Sequence, residues 1–129
     1  MNYQITFDQH TNYIRAKIVG ENSSEIVMQY MQDVQNECER RECYRVLIEE
    51  NLAGPRLEVI EIFDLVATGS RSAAGVFEAL AYVDTNTETP DMTEFAETVA
   101  VNRGIPVAVF TSVDEARNWL NGIKTSKNR

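Results

Sequence analysis

Four places in the sequence hold side chains that could do chemistry. Glu49 and Glu50 stand together at the end of the apolar run YRVLIEEN, and paired carboxylates are common acid–base machinery. Neighbours on a strand point to opposite faces, so this pair does not meet over one substrate. It reads as a solvated strand end set against a binding site, with Asn51 beside it. The segment GSRSAAG, residues 69–75, suggests a phosphate loop with Arg71 as its charge. It lacks the lysine and following hydroxyl of a P-loop, and it precedes a strand rather than opening a helix. Asn102 and Arg103 sit at the joint of FAETVAVNRGIPVAVF, between a helical pattern and an apolar run. A cation at a helix C-terminus contributes about 0.3–1 kcal/mol, and Gly104 suits the left-handed stop. The helix-end reading therefore stands ahead of a ligand clamp. For an anionic ligand, Arg103 is the first candidate and Arg71 the second.

The last place is the pair Cys38 and Cys43 with the sole histidine, His10. A redox pair or half a metal site is one reading of the cysteines, but a zinc site needs about four ligands. His10 falls in the turn-rich DQHTN, where a loop tip cannot hold the geometry of a general base. Two reduced thiols flanking a helix-to-strand turn is the reading adopted. The sequence thus predicts no catalytic residues, no metal and no cofactor.

The elements that must position these residues follow from periodicity. YQITFD and YIRAKIV alternate in period 2 around QHTN, the pattern of a β-hairpin. Asn22, Ser23 or Ser24 caps a helix with Glu25 in its first turn. Val27, Tyr30, Met31, Val34 and Cys38 then form one apolar stripe, ending near Arg40–Arg41. Residues 44–48 suit a buried strand, which Glu49, Glu50 and Asn51 end. Pro55 opens and Gly69 closes a further helix, and VFEALAYVD predicts the next strand. Met92, Phe95, Ala96, Val99 and Ala100 keep helical spacing. IPVAVF, apolar on both faces, predicts a parallel strand buried between helix layers. Ser112 and Glu115 form a capping box for a final helix, whose Val113, Ala116, Leu120 and Ile123 face inward beside Trp119. The fold class is α/β: one domain, residues 1–123, with a mixed, mostly parallel five-stranded sheet and about four helices. The order is β-β-α-β-α-β-α-β-α, and a polar tail spans 124–129.

The helix at 57–67 is apolar over more than one stripe, with only Glu58, Glu61 and Asp64 as a polar edge. Either its own domain buries it on two sides, or its outer face, with Leu57, Ile62 and Leu65, covers a partner. A homodimer interface or an apolar-ligand cleft would both use such a face.

Composition excludes other classes. Twenty acidic against twelve basic residues give a net charge of −8, and three of the basic residues lie in the tail, so the body is more acidic still. Such a body repels nucleic-acid phosphates and anionic lipid surfaces. No stretch approaches the roughly 20 apolar residues of a membrane span, and nothing resembles a targeting segment, so a cytoplasmic protein is expected.

The element order, closed by FAETVAVNRGIPVAVFTSVDEARNWL, resembles the SpoIIAA-like group of the STAS superfamily. Members often end in a strand running into Phe and a helix of the form EA-x-x-WL, here Phe110, Glu115, Ala116, Trp119 and Leu120. The resemblance implies a phosphorylation-switched binding protein, with a serine just after the strand at 44–50. Here that place reads Glu49-Glu50-Asn51-Leu52-Ala53-Gly54-Pro55, with no Ser or Thr, so the kinase-switched mechanism is not carried over. The group is also similar in fold to lipid-binding CRAL-TRIO domains. The expectation is a non-enzymatic binding or regulatory domain, homodimeric, touching protein partners through Glu49–Pro55 and the helix at 57–67. A carrier or sensor of a small apolar ligand is the alternative.

Overall fold

The computed structural model describes residues 3–53, 77–84, 98, 101 and 106–122. Strands β1 (Tyr3–Gln9) and β2 (Ile14–Glu21) form the expected hairpin, closed by the His10 N–H donating to the Tyr13 carbonyl at 2.9 Å. The His10 ring stacks on Tyr13, with centroids 4.7 Å apart.

Helix α1 (Ser24–Arg41) starts at Ser23, whose hydroxyl accepts from the Ile26 N–H at 3.1 Å, satisfying one of the donors a helix start leaves open. It stops at Glu42, which takes the left-handed conformation (φ 53°) and donates back to the Cys38 and Glu39 carbonyls. That conformation usually goes to glycine, because a Cβ there crowds the backbone. Ile26, Tyr30, Val34 and Cys38 are buried along the helix, while Val27 and Met31 pack half-buried at its flank.

Strands β3 (Arg45–Ala53), β4 (Ala79–Asp84) and β5 (Val107–Phe110) follow, and helix α2 (Val113–Gly122) comes after β5. The five strands form one mixed sheet in the order β1-β2-β3-β4-β5. The first pair is antiparallel and the other three are parallel. The α/β class and the five-stranded, mostly parallel sheet are as expected. Thr98 and Val101 have helical backbone within the pattern read as helical. The rest of that helix and the whole helix at 57–67 lie outside the described residues.

Two expectations are corrected. Glu49, Glu50 and Asn51 do not end β3, which continues to Ala53 because β2 pairs with it along its full length, Glu21 to Ala53 included. Strand β5 is not buried on both faces: all four of its residues are half-buried, since it is the last strand of the sheet order.

The sheet separates two apolar layers. On one face Ile14, Ala16, Ile18, Val46, Ile48, Leu52 and Leu80 share one apolar cluster with the buried stripe of α1. On the other, Leu47, Ala79, Ala81 and Val83 meet Ala116 and Leu120 of α2, with Phe110, Val113 and Trp119 at the rim. The Ser112 hydroxyl accepts from the Glu115 N–H at 3.2 Å and donates to its carboxylate at 3.1 Å, fixing the start of α2 as expected. Buried Arg45 fixes its end: it donates to the Leu120 carbonyl at 3.1 Å and pairs with Glu78. A cation at the C-terminus complements the helix dipole.

Candidate functional site: the open face of the sheet

The two described helices do not cover the sheet equally. Alternation along β2 sends Ile14, Ala16 and Ile18 under α1 and sends Arg15, Lys17, Val19 and Glu21 to the other face. Helix α2 packs chiefly on β3, β4 and β5 on that side, touching the hairpin at its turn, where Asn12 donates to Asn121. Along β3 the cover ends between Leu47, fully buried, and Glu49, partly exposed, with Asn51 exposed beyond it. The β1–β2 hairpin and the second half of β3 therefore leave one face open.

Register arranges this face in three rows. Gln4 faces Val19, which faces Asn51. Thr6 faces Lys17, which faces Glu49. Asp8 faces Arg15, which faces Leu47 at the edge of the α2 layer. Gln4, Thr6, Asp8, Lys17 and Asn51 are exposed, and Val19 is 43% exposed in their midst. Arg15 reaches diagonally to Glu49, its Nε donating at 3.0 Å and its Nη2 closer still. The Glu49 carboxylate is 13% exposed and Arg15 33%, so this pair is held firmly, while Lys17 beside it stays in water. Three acids, Asp8, Glu21 and Glu49, stand with two bases, Arg15 and Lys17, on the open face of a chain whose net charge is −8.

Of the residues singled out from sequence, Glu49 and Asn51 lie on this face and Glu50 does not. As expected, Glu49 and Glu50 point to opposite sides. Glu50, however, is not solvated: it is 6% exposed on the α1 side and accepts from the Tyr30 hydroxyl. A buried carboxylate without a donor would be strongly disfavoured, and Tyr30, in the middle of the α1 stripe, supplies one. Leu57, Ile62, Leu65, Arg71 and Arg103 lie outside the described residues. The sequence reading missed Arg15, Lys17 and Val19 as a functional set. Their shared face was readable from period 2 in YIRAKIV, but the pairing with Glu49 needs the strand order.

Cys38 and Cys43 are both free thiols, and burial pushes the Cys38 thiol up to about 12, which holds it as the unreactive protonated form. The Tyr3 hydroxyl donates to Asp33 on α1. Burial first, and that carboxylate second, raise it to about 12. Among the described residues no three His, Cys, Asp or Glu side chains gather to hold a metal, and no helix is long and apolar enough to cross a membrane. Compared with models of known protein families and with curated proteins, the chain matches none.

Proposed function

We propose that this protein is a non-enzymatic binding domain of STAS type, and that a protein partner docks on the open face formed by β1, β2 and the second half of β3. One observation carries the reading: the parallel pair β2–β3 leaves one side in water. Parallel strands are ordinarily covered on both faces, because their crossovers lay helices there. Here the uncovered half is paved by Asp8, Arg15, Lys17 and Glu49 around a 43%-exposed Val19. That combination suits a protein surface, which offers both charge signs and small apolar patches. It does not suit a polyanion, since the two bases are outnumbered by the three acids Asp8, Glu21 and Glu49 and the chain as a whole repels phosphate. On β3 the face occupies the C-terminal half of the strand, the end at which α/β sheets collect ligands. The Glu49–Asn51 part of the contact expected from the STAS resemblance is thereby kept, with β2 taking a larger share.

The test is a double variant, Lys17→Glu with Val19→Asp, isolated from its native cells beside the unaltered protein under gentle conditions. The variant keeps the same circular dichroism and unfolding midpoint, because neither side chain is packed in the core. It loses the co-purifying partner at least about tenfold. Equal recovery of the same partner with both proteins would remove the open face from consideration.

A further inference from the structure

We propose that the free edge of β1 is where two copies of this chain join, β1 antiparallel to β1 across a two-fold axis at Thr6, making one continuous sheet. The proposal goes beyond the open-face reading and is independent of it, since it uses backbone groups at an edge rather than side chains on a face.

Strand β1 is the last in the sheet order and pairs only with β2. The hydrogen bond from His10 to Tyr13 sets the phase of that ladder. Bonded pairs alternate along an antiparallel ribbon, so Asp8, Thr6 and Gln4 turn their backbone groups toward β2, and Gln9, Phe7, Ile5 and Tyr3 turn theirs outward. Among the described residues, none pairs with that outer row. Exposed edges are normally blunted by proline, lysine, a bulge or a very short strand. None of these is present: Tyr3–Gln9 keeps an unbroken seven-residue register, contains no Pro, Lys or Arg, and carries a single charge, Asp8.

The strand matches itself. An antiparallel copy centred on Thr6 sets Ile5 against Phe7, Tyr3 against Gln9 and Gln4 against Asp8, so outward backbone groups meet outward backbone groups throughout. On the α1 side, half-buried Tyr3, Ile5 and Phe7 continue into the same row of the second copy and lose their remaining exposure. On the open side, Gln4, Thr6 and Asp8 continue into a polar row, with each carboxylate facing an amide rather than another carboxylate. A chain of net charge −8 resists contact with itself over most of its surface, and this edge adds only one charge per copy. The helices leave room. Helix α1 lies chiefly against β2, so two copies of it would stand about three strand spacings apart, roughly 14 Å, beyond the 8–10 Å at which helices collide.

Sedimentation velocity of the purified chain, with no other protein present, tests this directly. The expected result is a concentration-dependent dimer that Thr6→Lys weakens about fivefold or more, because two lysines then face each other at the axis. Thr6 is exposed, so the variant folds, and circular dichroism verifies it. As a second readout, Thr6→Cys links two chains covalently through position 6 on air oxidation, while Gln4→Cys does not, because Asp8 stands opposite Gln4. A wild-type chain that stays monomeric at every concentration overturns the proposal. So does a dimer that is equally tight in Thr6→Lys, or one that Gln4→Cys and Thr6→Cys cross-link equally.

Discussion

Strands β3 and β4 and strands β1 and β2 belong to one sheet and obey the same alternation, yet they solve different problems. In the first pair both faces are closed: Ile48 and Leu80 are buried in the apolar cluster that includes the α1 stripe, Leu47, Ala81 and Val83 in the cluster with α2. In the second, Ile14, Ala16 and Ile18 close one face, and the residues between them meet water. The sequence composition follows: RVLI at the start of β3 is buried at every position, whereas IRAKIV alternates buried with partly or fully exposed. A half-sheet closed on both sides contributes stability. A half-sheet closed on one side contributes stability through one face and keeps the other available.

That contrast can be broken by substitution, and the largest effect belongs to the closed half. Leu120 is fully buried against β3 and β4, so Leu120→Ala lowers unfolding free energy by about 2–5 kcal/mol in urea titrations. Next comes the buried polar contact under α1. Tyr30→Phe removes a donor to Glu50 and costs about 1.5–3 kcal/mol, the usual worth of a hydrogen bond to a charged group, in the same titrations. A loss under about 0.5 kcal/mol would mean that Glu50 does not depend on Tyr30.

Alkaline pH separates the fully buried layer from its half-buried margin more gently. Cys38 in the folded chain titrates near 12, above its ordinary 9.0, and Tyr3 near 12, above its ordinary 10.0. Each neutral form is favoured by folding. The stability each provides is therefore complete below its ordinary value and is lost as pH rises toward 12. Stability measured from pH 8 to 12 should begin to fall near 9 in the natural chain, and only near 10 in Cys38→Ala, where the raised Tyr3 hydroxyl remains. An unchanged onset would show that Cys38 is not the group responsible. The smallest effect belongs to the open face: Val19→Thr should move stability by no more than about 0.5 kcal/mol, since little packing is lost.

Local pattern made much of the fold legible. Period 2 located β1 and β2, the run Asn22-Ser23-Ser24 and Ser112 marked helix starts, and the apolar stripe of α1 appeared with only Ile26 overlooked. What stayed hidden depends on partners distant in sequence. Two glutamates after Ile48 looked like the end of a strand, because a charged pair seldom enters a core. The strand continues because Arg15, 34 positions earlier, meets Glu49, and Tyr30, 20 positions earlier, meets Glu50. The exposure of β5 was hidden for a similar reason, since an apolar tetrapeptide does not show whether a strand has one neighbour or two. The open face likewise required the strand order, which places Lys17 between Thr6 and Glu49.

Position-specific photocross-linking tests the division of the sheet into a closed half and a receiving half most directly. A photoreactive residue is placed at Val19, on the open face, or at Gln32, exposed on α1, and the cells are irradiated. A discrete adduct of one mass from Val19, absent from Gln32, is the predicted result. Adducts of the same mass and yield from both positions, or none from Val19 in cells where the protein is abundant, would contradict it.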